Sequence, residues 1–163
     1  MKSQRVGVVV FLFGIPGEIF SNAIIKKIAE EISCRENAII FSQRGIHFEF
    51  GFDVEYANGN SESPTLKIAE QAAEWAWRKG IGKIIVVAAS PHISRCARDI
   101  EASLKMKSVL PVKVLKCAEA FMYDGLWFRK ESEQFRTRHR FYWNIREWIL
   151  TRLPFPIYRR AAN

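Results

Sequence analysis

Three residues able to hold an anion follow one apolar run, at Ser90, His92 and Arg95. The run before them, residues 83–89, is rich in β-branched side chains, which predicts a strand buried on both faces. Pro91 favours the first turn of a helix, with Ser90 as its N-cap. His92 and Arg95 would then share one helix face near the free backbone N–H groups, a combination that suits a phosphate or carboxylate. If chemistry follows binding, His92 is the candidate acid or base.

Structural roles for the same residues stay open at this point. Ser90 would then only cap the helix, Arg95 would pair with Asp99 one turn later, and His92 would hydrogen-bond a neighbouring loop. A nucleophile at Ser90 or Cys96 is less favoured, because no GxSxG turn surrounds either residue.

Other carboxylates and histidines add little to this chemistry. Glu119 and Asp124 follow the last predicted strand and would overhang the same sheet edge, although ordinary surface positions are favoured for both. No metal site is expected, because His47, His92 and His139 are scattered and lack ligand spacing.

The elements that position these residues follow a β-α-β rhythm without internal repeats. Predicted strands cover Val6 to Phe13, NAIIFSQ ending at Ser42, KIIVVAA and PVKVLKC, with a more exposed extended segment from His47 to Ala57. Predicted helices begin at about Phe20, at Pro64 with Ser63 as cap, at Pro91 and at about Ser132, the last running to Leu153. This alternation predicts an α/β fold: one domain, residues 1–163, built as a three-layer α/β/α sandwich with a mostly parallel sheet, Rossmann-like or flavodoxin-like.

A longer segment around the site resembles a known family. The stretch ESPTLKIAEQAAEWAWRKGIGKIIVVAASPHISRCARDIE is similar to the central part of the ElyC/SanA/YdcF-like family, a domain of unknown function. VVVFLFGIPG resembles the family's first strand and Gly-rich loop, AIIFSQRG its second strand, and NIREWILTRLPFPIY its closing helix. The chain differs where the family has Asn before the threonine, a Glu-Asn pair after it and a double glycine in the first loop.

The resemblance implies a ligand pocket and its residues. Those implied to line it are Thr65, Ser90, His92 and Arg95, with Gly14, Ser42 and Glu55 facing it from the strand ends. Members of the family are associated with the cell envelope or with nucleotide-like ligands. The resemblance therefore implies either a phosphate-bearing or nucleotide-like ligand, or a non-catalytic regulatory module linked to the envelope; no cofactor is assigned.

Charge is concentrated at the C-terminal end of the chain. The net charge is +8 over 163 residues, and the segment from Arg129 onward holds nine Lys/Arg against three Asp/Glu. The basic charge and the interleaved aromatic residues make binding to nucleic acid or to a membrane surface an alternative, but a helix packed on the sheet with its arginines in water is favoured. A homo-oligomer contact is another use for these aromatics.

Compartment follows from the cysteines and from the first apolar run. Cys34, Cys96 and Cys117 match neither a zinc site nor a redox pair, which predicts free thiols in a reducing compartment. The run from Val6 to Phe13 is too short to span a bilayer and is expected to be a strand. A cytoplasmic protein without a transmembrane segment is therefore expected.

Overall fold

The computed structural model describes residues 5–107 and 111–161. In this part of the chain the strands are β1 (Arg5–Val10), β2 (Ile39–Ser42), β3 (Val54–Tyr56), β4 (Ile81–Val87) and β5 (Lys113–Lys116). The helices are α1 (Phe20–Glu36), α2 (Thr65–Lys79), α3 (Ser90–Met106), α4 (Arg140–Arg152) and α5 (Phe155–Ala161). Short 3-10 helices cover Glu119–Tyr123 and Phe135–Thr137.

The strands form one parallel sheet in the order β3-β2-β1-β4-β5. This is the strand order of the first five strands of a Rossmann sheet. Right-handed crossovers place α1 on one face and the mutually packed α2 and α3 on the other. The predicted three-layer α/β/α fold is confirmed.

The centre of the sheet is fully buried because helices cover both of its faces. Val8 of β1 lies between Ile40 of β2 and Ile85 of β4, and Val8 is inaccessible to solvent. Gly7 lets α2 approach closely, since a Cβ there would lie 2.5 Å from the Trp75 ring. The continuous apolar runs seen in the sequence are thus explained by burial on both sides.

Adjacent strands β1 and β4 mark the point where the strand order reverses. From β1 the chain proceeds towards β2 on one side, and from β4 it proceeds towards β5 on the other. Such a reversal opens a crevice at the carboxyl ends of the two strands, where ligands of open α/β sheets bind. The loop of residues 11–19 and the start of α3 therefore meet at one edge of the sheet.

Two predicted helix starts are shifted by one residue. Ala89, not Ser90, is the N-cap of α3, and Ser90 is the first helical residue without a side-chain capping bond. Pro64 is likewise the N-cap of α2, which begins at Thr65, so Ser63 is not the cap. The two shifts run in opposite directions: α3 begins one residue before Pro91, whereas α2 begins one residue after Pro64.

The predicted single helix from Ser132 to Leu153 is wrong at its start. Ser132 and Thr137 hydrogen-bond each other with 2.6 Å between their oxygens, and the Ile15 N–H donates to the Ser132 hydroxyl at 3.3 Å. Side-chain bonds of this kind compete with helix formation, so a 3-10 helix precedes α4. Within the described ranges, no helix combines the length and apolarity needed to cross a membrane.

Candidate anion-binding site

A cavity of about 70 Å³ lies at the reversal point, beneath the C-terminal segment. Its walls come from the loop after β1, the residue after β2, the start of α2, the first turn of α3, the 3-10 helix of residues 135–137 and α4. The polar and aromatic lining includes Gly14, Gln43, Thr65, His92, Arg95, Arg136, Trp143 and Arg146. This volume holds a few waters or one small anion, and it is far smaller than the few hundred Å³ of a typical drug-sized ligand site.

Three of the predicted residues meet at the cavity wall in one hydrogen-bonded group. Arg95 Nη1 donates to the Thr65 hydroxyl at 3.2 Å, and Arg95 Nη2 donates to His92 Nδ1 at 3.2 Å. His92 Nε2 lies 3.4 Å from the same Thr65 oxygen. His92 and Arg95 therefore share one face of α3, as their three-residue spacing predicts. Thr65 of α2 completes the group.

A partly buried carboxylate, Glu147, holds Arg95 in place. Arg95 Nε donates to both oxygens of Glu147, at 3.0 and 2.9 Å, and the side chain is only 4% exposed. Burial opposes the charge of Arg95, but the Glu147 carboxylate raises its pKa overall. Burial also raises the pKa of Glu147, while Arg95 and Arg146 oppose that shift. With a guanidinium on both of its oxygens, Glu147 is ionised at neutral pH.

Arg95 does not pair with Asp99, the structural alternative that its spacing left open. Asp99 accepts a hydrogen bond from the Tyr158 hydroxyl and another from Arg98 Nη2 at 3.1 Å. Tyr158 also lies 3.4 Å from Arg95 Nη1. Asp99 thus belongs to a second buried layer, which anchors α5 behind the cavity.

Two further arginines face the cavity and carry most of its unbalanced charge. Burial, with Arg95 and Arg136 nearby, lowers the pKa of Arg146 to about 10. Burial and Arg95 lower the pKa of Arg136 as well. Arg146 shares Glu147 with Arg95, at 3.3 Å, and within the described ranges Arg136 makes no ion pair. Three guanidiniums therefore line the cavity while only two of them share the Glu147 carboxylate, which favours an added anion.

His92 is held in one neutral form. Burial lowers its pKa well below 6.5, and the charges of Arg95, Arg146 and Arg136 lower it further. Because Arg95 donates to Nδ1, the ring proton sits on Nε2 and faces Thr65. The neutral ring accepts from Arg95 at Nδ1 and directs its Nε2 proton towards Thr65, so it positions both residues.

We expect the wild-type protein to lose stability in mild acid and the variant His92→Gln to lose less. Since its pKa is below 6.5 in the folded state, the unfolded state binds more protons as the pH falls through that value. Wild-type stability should then drop by up to about 1.4 kcal/mol per pH unit relative to His92→Gln. Urea unfolding of both proteins between about pH 7.5 and 5.5 measures the difference. Parallel stability curves would contradict the buried neutral ring.

The strand-end residues implied by the resemblance are only partly in place. Gly14 lines the cavity with φ at 89°, and a Cβ there would lie 2.7 Å from the Ser132 hydroxyl. Ser42 is fully buried and donates to the Gln43 carbonyl instead of facing the cavity. Glu55 also lies outside it and pairs with Arg78 on α2.

Ser90 does not reach the cavity either. It lines a separate shallow depression together with Phe121, Asp124 and Arg140. As the first residue of α3 it precedes the turn that presents His92, so its side chain leaves the helix in another direction. Ser90 therefore lies outside the cavity that His92 and Arg95 line.

The cavity is less open than the sequence suggested. His92 and Arg95 are each only 4% exposed, because α4 and the preceding 3-10 helix cover them. Trp143 holds α4 against the start of α3. Its indole N–H donates to the Pro91 carbonyl at 3.1 Å, and its ring contacts the His92 ring edge-on, with 5.2 Å between the ring centroids. Access runs past Glu62, Gln134 and Arg136, which also line an open depression outside.

Sequence reasoning missed Gln43 and Asn22, two amides that shape the cavity. Gln43 accepts from the Leu12 N–H at 3.2 Å and donates to the Ser61 carbonyl at 2.8 Å. Asn22 bonds the loop after β1, accepting from Phe13 N–H at 2.9 Å. A polar residue directly after β2 was the available signal for Gln43.

Other candidate catalytic groups are occupied elsewhere. Cys96 is fully buried, and burial raises its pKa, so it is a neutral thiol. Asp124 pairs with Arg140 at 2.5 Å, and Glu119 pairs with Arg35 at 2.8 Å. Neither carboxylate lines the cavity.

Fold and site together define a Rossmann-like α/β domain with an arginine-lined cavity at its switch point. Comparison of the chain with models of protein families, with curated proteins and with solved structures gave no match. The resemblance to the ElyC/SanA/YdcF-like family therefore stays a prediction.

Proposed function

We propose that this protein binds a small phosphate-bearing molecule through its anionic group, held in the cavity between β1 and β4. One observation carries the proposal: Arg95, Arg136 and Arg146 line about 70 Å³ of space, where Arg95 and Arg146 pair with one carboxylate, Glu147, and Arg136 has no ion pair in the described part of the chain. An anion there would offset the repulsion among the guanidiniums and form charge-assisted hydrogen bonds.

The size of the cavity limits what part of the ligand enters it. A phosphate group fits, but a nucleoside does not, so the rest of a nucleotide-like ligand would lie in the outer depression beside Glu62, Gln134 and Arg136. The free N–H groups at the start of α2 add donors at the mouth, since no side chain caps that helix.

Binding, not catalysis, is the function this arrangement supports best. His92 is neutral, and Arg95 occupies its Nδ1 atom. The Thr65 hydroxyl accepts from Arg95 and His92, which leaves its own proton for a ligand oxygen. The residues therefore offer donors for an anion and no positioned base.

Inorganic phosphate should raise the melting temperature of the wild-type protein, and Arg136→Gln should weaken its affinity on the order of ten- to a hundredfold. Arg136 is the test position because it lines the cavity without an ion pair that holds the fold together. Binding is measured by thermal shift and by calorimetric titration at constant ionic strength.

A matched variant separates binding from the general stabilising effect of phosphate on proteins. Lys27→Gln also removes one positive charge, but from the exposed face of α1, where Lys27 makes a surface pair with Glu31. This variant should respond to phosphate like the wild type. Equal responses in Arg136→Gln and Lys27→Gln would overturn the proposal.

A further inference from the structure

The outward side of α4 carries a continuous run of exposed apolar side chains. We call it the α4 stripe; it consists of Phe141, Tyr142, Ile145, Trp148 and Ile149. At 3.6 residues per turn these positions fall within an arc of about 120°. Phe141 is 69% exposed and Trp148 56%. Single exposed apolar residues are common on proteins, but a contiguous patch indicates an interaction surface.

The stripe is not the side of α4 that packs on the domain. Trp143 is buried on the opposite side, and Glu147 reaches inward to Arg95. The helix thus has one apolar side that covers the cavity and a second that nothing in the described part of the chain covers. The aromatic surface continues to Phe135, whose ring lies 5.0 Å from that of Tyr142.

Positive charge borders the stripe. Helices α4 and α5 contain five arginines and one acidic residue, Glu147, which is turned inward. The Arg152 guanidinium lies 4.3 Å from the centre of the Trp148 ring, within the stripe itself. Three of the five arginines pair with carboxylates, two of them on other elements, which leaves Arg152 and Arg160 as the guanidiniums of these helices without an ion pair in the described part of the chain. The outward surface therefore combines aromatic and aliphatic side chains with positive charge.

We propose that the α4 stripe binds the surface of an anionic lipid bilayer. Aromatic and aliphatic side chains enter the boundary between headgroups and acyl chains, and bordering arginines bind lipid phosphates. The helix has 13 residues, about 20 Å, and lies flat on the surface.

Charge and shape disfavour two other partners. A second copy placed symmetrically on the stripe would bring arginines against arginines, which is repulsive. Nucleic acid is bound by stacked aromatic rings and guanidiniums, whereas Ile145 and Ile149 at the middle of the stripe offer no stacking face.

The test is flotation with vesicles of phosphatidylcholine alone or mixed with phosphatidylglycerol. We expect the wild-type protein to float with the anionic vesicles and to stay unbound with the zwitterionic ones. The double variant Ile145→Ser/Trp148→Ser should lose roughly tenfold or more of its vesicle affinity. Arg152→Gln should weaken binding less, and added salt should weaken it in every variant.

A matched control keeps the result interpretable. Trp77→Ser removes an equally exposed tryptophan, 62% accessible, from α2, and it should bind vesicles like the wild type. Circular dichroism confirms that each variant is folded. Equal flotation of the double variant and Trp77→Ser would overturn the proposal. A wild-type protein that does not bind anionic vesicles would also overturn it. In that case, dimerisation or oligonucleotide binding that is lost in the double variant would identify the partner of the stripe.

Discussion

Glu147→Gln is expected to lower the free energy of unfolding by about 3–5 kcal/mol, the usual effect of breaking one side of a buried ion pair. Glutamine has nearly the same shape as glutamate, so the decrease in stability measures the effect of removing the negative charge. Without the carboxylate, Arg95 stays charged and buried at 4% exposure, next to Arg146 and Arg136. Urea unfolding at neutral pH measures the change.

Two comparisons make this result decisive. Glu70→Gln breaks the pair of Glu70 with Arg159, 3.3 Å apart, which is far more exposed; it should lower stability by less than about 1 kcal/mol. Phosphate should restore part of the stability lost in Glu147→Gln, because an anion in the cavity replaces the missing negative charge. A loss as small as that of Glu70→Gln would show that the arginines do not depend on Glu147.

Trp143→Ala is the second large change, with an expected loss of about 3–5 kcal/mol, as for other buried aromatic truncations. The Trp143 ring packs against Phe13 with centroids 4.6 Å apart and closes one wall of the cavity. Its removal also leaves the Pro91 carbonyl without the indole donor. Phosphate affinity should fall together with stability, because α4 then no longer holds Arg146 in place.

Trp148→Ala is the matched control for Trp143→Ala. Both tryptophans lie on α4, but Trp148 is exposed and contacts Arg152. We expect its loss to change the free energy of unfolding by no more than about 0.5 kcal/mol. Similar losses of stability for the two variants would mean that α4 does not turn Trp143 inward and Trp148 outward.

The sheet and its layers were predictable because burial on both faces leaves a simple pattern. The run IIVV in β4 has no polar position at which to face water, and glycine-containing or polar turns bound it. The C-terminal segment was harder to predict, since local hydrogen bonds of Ser132 and Thr137 interrupt a pattern that otherwise continues as helix. Such bonds depend on Ile15, which is far away in the sequence.

Half of the site was predictable from local spacing, and the rest needed the tertiary structure. His92 and Arg95 follow from three-residue spacing on a helix, and Thr65 from the resemblance. The prediction for Ser42 fails because successive side chains of a strand point to opposite sides. Ser42 faces the protein interior, whereas the next residue, Gln43, reaches the cavity.

Arg136, Arg146 and Glu147 lie in the segment predicted as a helix that packs on the sheet with its arginines in water, because no local pattern indicates that α4 folds back over the switch point. One signal was available in the sequence. Glu147 is the single acidic residue among five arginines in α4 and α5. An isolated charge of opposite sign in a basic helix is a reason to expect a specific pairing.

The bond between Ile15 and Ser132 joins residues 117 positions apart, and it has a consequence for synthesis. A nascent chain that has left the ribosome only as far as β5 carries every strand of the sheet but neither Arg136 nor Arg146. The phosphate site that we propose is therefore incomplete until α4 emerges, and we expect phosphate not to assist the early, co-translational stages of folding.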